Sequence, residues 1–170
     1  MVVFQDADTV AGQIRESGLS DVWVANKNSE SQTAVSGTES GIEAFCKFLA
    51  DRQVTHRKLA LSGAFHTPLF DSASRQMADE LAGVSFRPAD FARVISNVTA
   101  SPYPGDAEAI KGLLSRQIVS PVEFIRSIQS VYAAGGRRFI EIGPGRLLSN
   151  LLKKISIGDH EAVPAVEPKK

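Results

Sequence analysis

Three things are scarce in this chain of 170 residues, and each scarcity removes a class of function. Cysteine occurs once, at Cys46, which excludes an intramolecular disulfide framework and suits a reducing, cytoplasmic setting. No apolar run approaches the roughly 20 residues needed to cross a bilayer, and Met1-Val2-Val3-Phe4-Gln5 lacks the positive start and long apolar core of a secretion signal. Excess charge of either sign is also missing. The 19 basic and 19 acidic side chains cancel, and no dense basic cluster provides a local patch, so neither nucleic acid nor an anionic membrane is an expected partner.

What is present is the composition of a soluble globular protein with an ordinary core, 43% apolar and 22% charged residues, and its strand-like and helix-like stretches alternate as in an α/β chain. Val2 to Phe4 reads as a short strand, and Asp6 or Asp8 caps a helix over Val10, Ala11 and Ile14 that stops at Gly18. Two β-prone runs, 22–26 and 32–36, are joined by the polar connection 27–31. Thr38 or Ser40 caps a second helix with Ile42, Phe45, Cys46 and Leu49 at helical spacing, and 57–61 reads as a closing strand. The order βαββαβ predicts a ferredoxin-like subdomain over residues 1–61, with two helices on one face of a small antiparallel sheet. Cys46, on the apolar stripe without a Cys or His neighbour, reads as a packed hydrophobe, and no metal site is expected.

Beyond it, Ser62-Gly63-Ala64-Phe65-His66-Thr67-Pro68 places a histidine at a strand-to-helix turn, an address from which an imidazole can be aimed into a cleft as a general base. By itself the pattern leaves open an ordinary packed or surface histidine. Helices are expected over Pro68 to Ala82 with the stripe Leu69, Ala73, Met77 and Leu81, from Asp106, and from Ser120-Pro121 to Gly135-Gly136. Strands are expected over 91–96 and 137–142, the latter buried on both faces. Leu147 to Ile155 supplies a last helix, and residues 158–170 read as a disordered tail. Gly143-Pro144-Gly145-Arg146 sits where a phosphate loop would, but it lacks the lysine of a Walker loop and the third glycine of a dinucleotide fingerprint, so it reads as a structural turn.

Taken together, Val24-Ala25-Asn26-Lys27-Asn28-Ser29 with Gln32 and Val35-Ser36-Gly37, Ala64-Phe65-His66-Thr67-Pro68-Leu69, Val94-Ile95-Ser96-Asn97-Val98-Thr99, Arg116-Gln117 with Ser120-Pro121-Val122, and Phe139 to Gly145 resemble the malonyl-CoA:acyl-carrier-protein transacylases and the acyltransferase domains of polyketide synthases. The resemblance runs over residues 1 to about 155. It implies that residues 62–157 are the C-terminal part of an α/β-hydrolase-like acyltransferase core. It maps the catalytic base onto His66 and, onto Gln117, the residue whose carbonyl group accepts a hydrogen bond from that histidine. Asn28 and Gln32 match a polar loop near the substrate cleft, although a hairpin connection satisfying its own backbone explains them equally well. Phe65, directly before the histidine, accompanies malonyl rather than methylmalonyl use. Gly63 departs from the family's usual malonyl signature, which has a histidine there.

The resemblance further implies malonyl-CoA and an acyl carrier protein as partners, the carrier's phosphopantetheine arm as substrate, and no cofactor. The family's serine lies in a Gly-His-Ser-x-Gly elbow, and no such stretch occurs in this sequence. The expectation is a piece of a malonyl transferase that is inactive alone and completed by an N-terminal acyltransferase segment. The alternative is a non-catalytic remnant that docks a carrier protein or neighbouring synthase domains.

Overall fold

A computed structural model describes residues 1–60, 63–87, 93–143 and 145–164. The first sixty residues form β1 (Val2–Val3), α1 (Ala7–Ser17), β2 (Val22–Ser29), β3 (Gln32–Gly37), α2 (Glu39–Asp51) and β4 (His56–Arg57). Their sheet has the order β2-β3-β1-β4 with every pairing antiparallel. Val3, Val22 and Val35 from the strands meet Val10 and Ile14 of α1 and Ile42, Phe45 and Leu49 of α2 in one buried cluster. Burying a side chain of this size contributes about 1.5–3 kcal/mol, so this cluster dominates the stability of the unit.

The caps follow the sequence chemistry. Asp6 Oδ1 accepts from the Asp8 and Thr9 amides, Gly18 ends α1 at φ 70°, and Thr38 Oγ1 accepts from the Gly41 amide at 3.0 Å. Two expectations need correcting. Lys27, Asn28 and Ser29 belong to β2 rather than to a connection, since Lys27 pairs with Thr33 and Ser29 with Gln32, leaving a two-residue turn. Of the closing strand expected at 57–61, Leu61 lies outside the described residues, and the strand stops at Arg57 because its partner β1 offers only Val2 and Val3 to pair with.

The remainder contains a 3₁₀ turn at Pro68–Phe70, α3 (Asp71–Ala82), α4 (Ala107–Arg116), α5 (Phe124–Ala133), β5 (Arg138–Glu141), α6 (Leu147–Leu152) and β6 (Glu161–Pro164). Here the structure departs further from expectation. Phe91 and Ala92 lie outside the described residues, and the rest of the strand expected at 91–96 is a single bridge from Ile95 to Pro102. The helix expected from Pro121 starts at Phe124, because Val122 is extended and pairs with β2. The stripe on α3 is not a core face, since no residue of that helix is buried. Its ties to α4 are polar, from Ser74 Oγ to the Ser115 carbonyl and from Lys111 Nζ to the Ala82 carbonyl.

Of the expected tail, residues 165–170 lie outside the described residues, and Glu161–Pro164 forms β6, which pairs in parallel with β5 from Arg138–Glu161 to Glu141–Pro164, with α6 as the crossover. Burial on both faces of the strand expected at 137–142 is not observed: Ile140, in β5, is 54% exposed and Ile142, just after it, 89%. Elsewhere Glu30, at the tip of the β2–β3 hairpin, takes the Ser156 amide at 2.9 Å and its hydroxyl at 2.5 Å. These bonds tie the small sheet to the segment after α6.

Candidate active site

The turn before α3 is wound around His66. Thr67, fully buried, donates its hydroxyl to the Ala64 carbonyl at 2.6 Å and accepts the Phe70 amide through its own carbonyl. Closing so tight a loop puts His66 at φ 63° and Gly63 at φ 130°. Histidine is one of the few side chains that tolerates the left-handed region, and residues held there concentrate at functional sites.

His66 is held from the end of α4. Its amide donates to the Ile118 carbonyl at 3.0 Å, and its Nδ1 lies 2.9 Å from the main-chain carbonyl of Gln117, the C-cap of α4. A carbonyl only accepts, so Nδ1 carries a proton, and in the neutral ring Nε2 keeps its lone pair. That tautomer can take a proton at Nε2. Among the described residues no hydroxyl or thiol hydrogen bonds to this imidazole.

His66 and Phe65 open on a cleft of about 650 Å³ between the turn and the small sheet, lined also by Asn26, Ala34, Ser36 and Lys58. Phe65 is 53% exposed, with its ring centroid 4.8 Å from that of Phe70. The ring also lies over Gly63, where a Cβ would come within 2.7 Å of Phe65 Cε2. Lys58 Nζ is 3.0 Å from Glu43 Oε1, a hydrogen bond that raises the lysine above its ordinary range.

Of the residues singled out in the sequence, the structure brings together His66, Phe65 and the carbonyl of Gln117. It sets Asn28 and Gln32 towards the hairpin end, outside the lining of this cleft. Asn26, from the same motif as Asn28, lines it instead. The signal was available in the motif, but the register shifts between Val24 and Asn26 and between Lys27 and Ser29 break the alternation from which its facing would be read.

Pro144 of the expected turn at 143–146 lies outside the described residues, and the residues on either side of it are joined through Glu141. Glu141 takes the Leu148 amide on Oε1 and both the amide and the hydroxyl of Ser149 on Oε2, at 2.7–2.9 Å. These are N–H groups that an anion at the start of α6 would need. The amide of Ser149, then that of Leu148, hold the Glu141 carboxyl below its ordinary range. Among the described residues no group of three or more His, Cys, Asp or Glu could hold a metal ion, and no helix is long and apolar enough to cross a membrane. Cys46 packs beside the small core, with its Sγ 3.9 Å from Met1 Sδ.

A family model described as acyl transferase domain matches residues 5–164. A malonyl CoA-acyl carrier protein transacylase from Bacillus subtilis is 38% identical over 149 residues, 86% of this chain and 46% of that protein. A polyketide biosynthesis malonyl CoA-acyl carrier protein transacylase from the same organism is 36% identical over 159 residues, 92% of this chain and 54% of that protein. The crystal structure of an acyl-carrier-protein S-malonyltransferase from Burkholderia pseudomallei superposes with a TM-score of 0.87 at 30% identity, over 98% of this chain and 54% of that one. The chain thus spans about half the length of these transferases, and it belongs to the acyl transferase domain family, which includes the malonyl-CoA transacylases of fatty-acid and polyketide synthesis.

Proposed function

We propose that this chain supplies the histidine-bearing part of a malonyl transferase active site, moving malonyl from CoA to an acyl carrier protein. Residues 1–61 are the ferredoxin-like subdomain of that enzyme, an assignment supported by the element order and by the strand order β4-β1-β3-β2. Residues 62–157 are the C-terminal part of its hydrolase-like core. The observation that carries the reading is the 2.9 Å contact between His66 Nδ1 and the Gln117 carbonyl, which leaves Nε2 to serve as base.

The serine comes from the half of the domain that this chain does not span. In the first half-reaction its hydroxyl attacks the malonyl thioester while its proton passes to His66 Nε2, and the departing CoA thiolate takes that proton back. In the second, the carrier's phosphopantetheine thiol gives its proton to Nε2 and attacks the serine ester, and the serine oxygen recovers the proton on release. The Gln117 carbonyl holds the ring in one tautomer throughout and stabilises the imidazolium, as the buried carboxylate does in a serine protease. The aromatic volume of Phe65, aligned with the family's malonyl-associated position, favours malonyl over a branched acyl group. No cofactor takes part, and the surroundings are cytoplasmic.

The test combines this chain with a segment carrying the nucleophile elbow and follows malonyl transfer to a carrier-protein thiol. Transfer by the pair and not by either piece supports the reading. Carrier binding without loading supports a docking role instead.

A further inference from the structure

The stretch 117–123 touches both walls of the cleft. At one end the carbonyls of Gln117 and Ile118 hold the ring and the amide of His66. At the other, the Val122 amide donates to the Ala25 carbonyl at 2.8 Å and the Lys27 amide donates to the Val122 carbonyl at 2.9 Å. Between Ala25 and Lys27 lies Asn26, which lines the same cleft as His66. The two walls therefore hang on one strap of seven residues, and the Glu123 amide fixes its far end to the Asn97 carbonyl.

One ion pair locks the strap to β2. Lys27 Nζ lies 2.6 Å from Glu123 Oε1, and Glu123 is only 8% exposed. Its other oxygen, Oε2, has no hydrogen-bond partner among the described residues, with Arg126 Nη1 at 3.9 Å. A carboxylate this far out of water is strongly disfavoured unless its counter-charge stays in place. Removing Lys27 would thus release the joint rather than merely weaken it.

We infer that Lys27 and Glu123 are positioning residues that set the separation between the Asn26 wall and the catalytic imidazole. This rests on the reading of the cleft as an acyl-transfer site. Breaking the pair moves the wall but leaves the His66–Gln117 contact intact, so substrate binding suffers while the chemical step does not.

Three variants test this: Lys27→Glu, Glu123→Lys and the charge-swapped double variant. In this chain, the Lys27 and Val122 amides should exchange with solvent about tenfold faster or more in each single variant and return towards the wild-type rate in the double variant. In the transferase assembled with its nucleophile segment, each single variant should raise KM for the acyl donor about tenfold with kcat within about twofold, and the swap should restore KM. Unchanged exchange overturns the inference, and so does a fall in kcat at constant KM, the signature of a smaller folded fraction. If the assembled wild type transfers no malonyl, the functional reading fails while amide exchange still decides whether the pair locks the strap.

Discussion

His66 Nδ1 donates its proton to the main-chain carbonyl of Gln117, not to the side-chain amide, across 2.9 Å. The acceptor is a peptide group that every residue carries. Gln117→Ala should therefore leave the imidazole in the same tautomer and change stability by no more than about 0.5 kcal/mol. Nitrogen chemical shifts of His66 in the two proteins check this, and a shift of the proton to Nε2 in the variant would show that the glutamine side chain sets the tautomer.

Gly63 lies beneath the Phe65 ring at φ 130°, and a Cβ there would sit 2.7 Å from Cε2. Gly63→Ala should lower stability by about 1–3 kcal/mol through backbone strain, with an added clash against the ring. The clash is relieved in the double variant Gly63→Ala, Phe65→Ala, so a double-mutant cycle by urea denaturation should show coupling of at least about 0.5 kcal/mol. Additive effects would mean that the ring and the glycine act independently.

Glu141 gives a pH dependence of known sign. Its carboxyl is held low in the folded protein by the amides of Ser149 and Leu148 and the Ser149 hydroxyl. Its contribution is thus fully present above the unfolded carboxylate value of about 4.3 and is lost as pH falls through the lower folded value. Thermal melts of wild type and Glu141→Gln should differ at neutral pH and converge in acid. A gap that persists unchanged in acid would assign the difference to packing instead.

The parts of the fold legible in the sequence were those set by local chemistry. Asp6, Thr38 and Asp106 cap the helices that follow them, and the glycine at 18 stops the first helix. Elsewhere tertiary pairing overrides local preference. Pro121 favours a helix start, but Val122 is drawn into pairing with β2, delaying the helix to Phe124. The polar composition after Ile157 concealed β6, which is held by backbone pairing to β5 and needs little from its side chains. In the site, His66, Phe65 and Gln117 were marked by motif, whereas Asn26 was hidden by strand irregularities that no residue type announces.

The most direct test of the account is where the malonyl group becomes attached. This chain and a segment bearing the nucleophile elbow are incubated with malonyl-CoA, and each polypeptide is weighed intact by mass spectrometry. The adduct is predicted on the partner's serine alone, forming about 10²–10⁴-fold more slowly when His66 is replaced by alanine. A His66-dependent adduct on this chain without the partner would contradict the account.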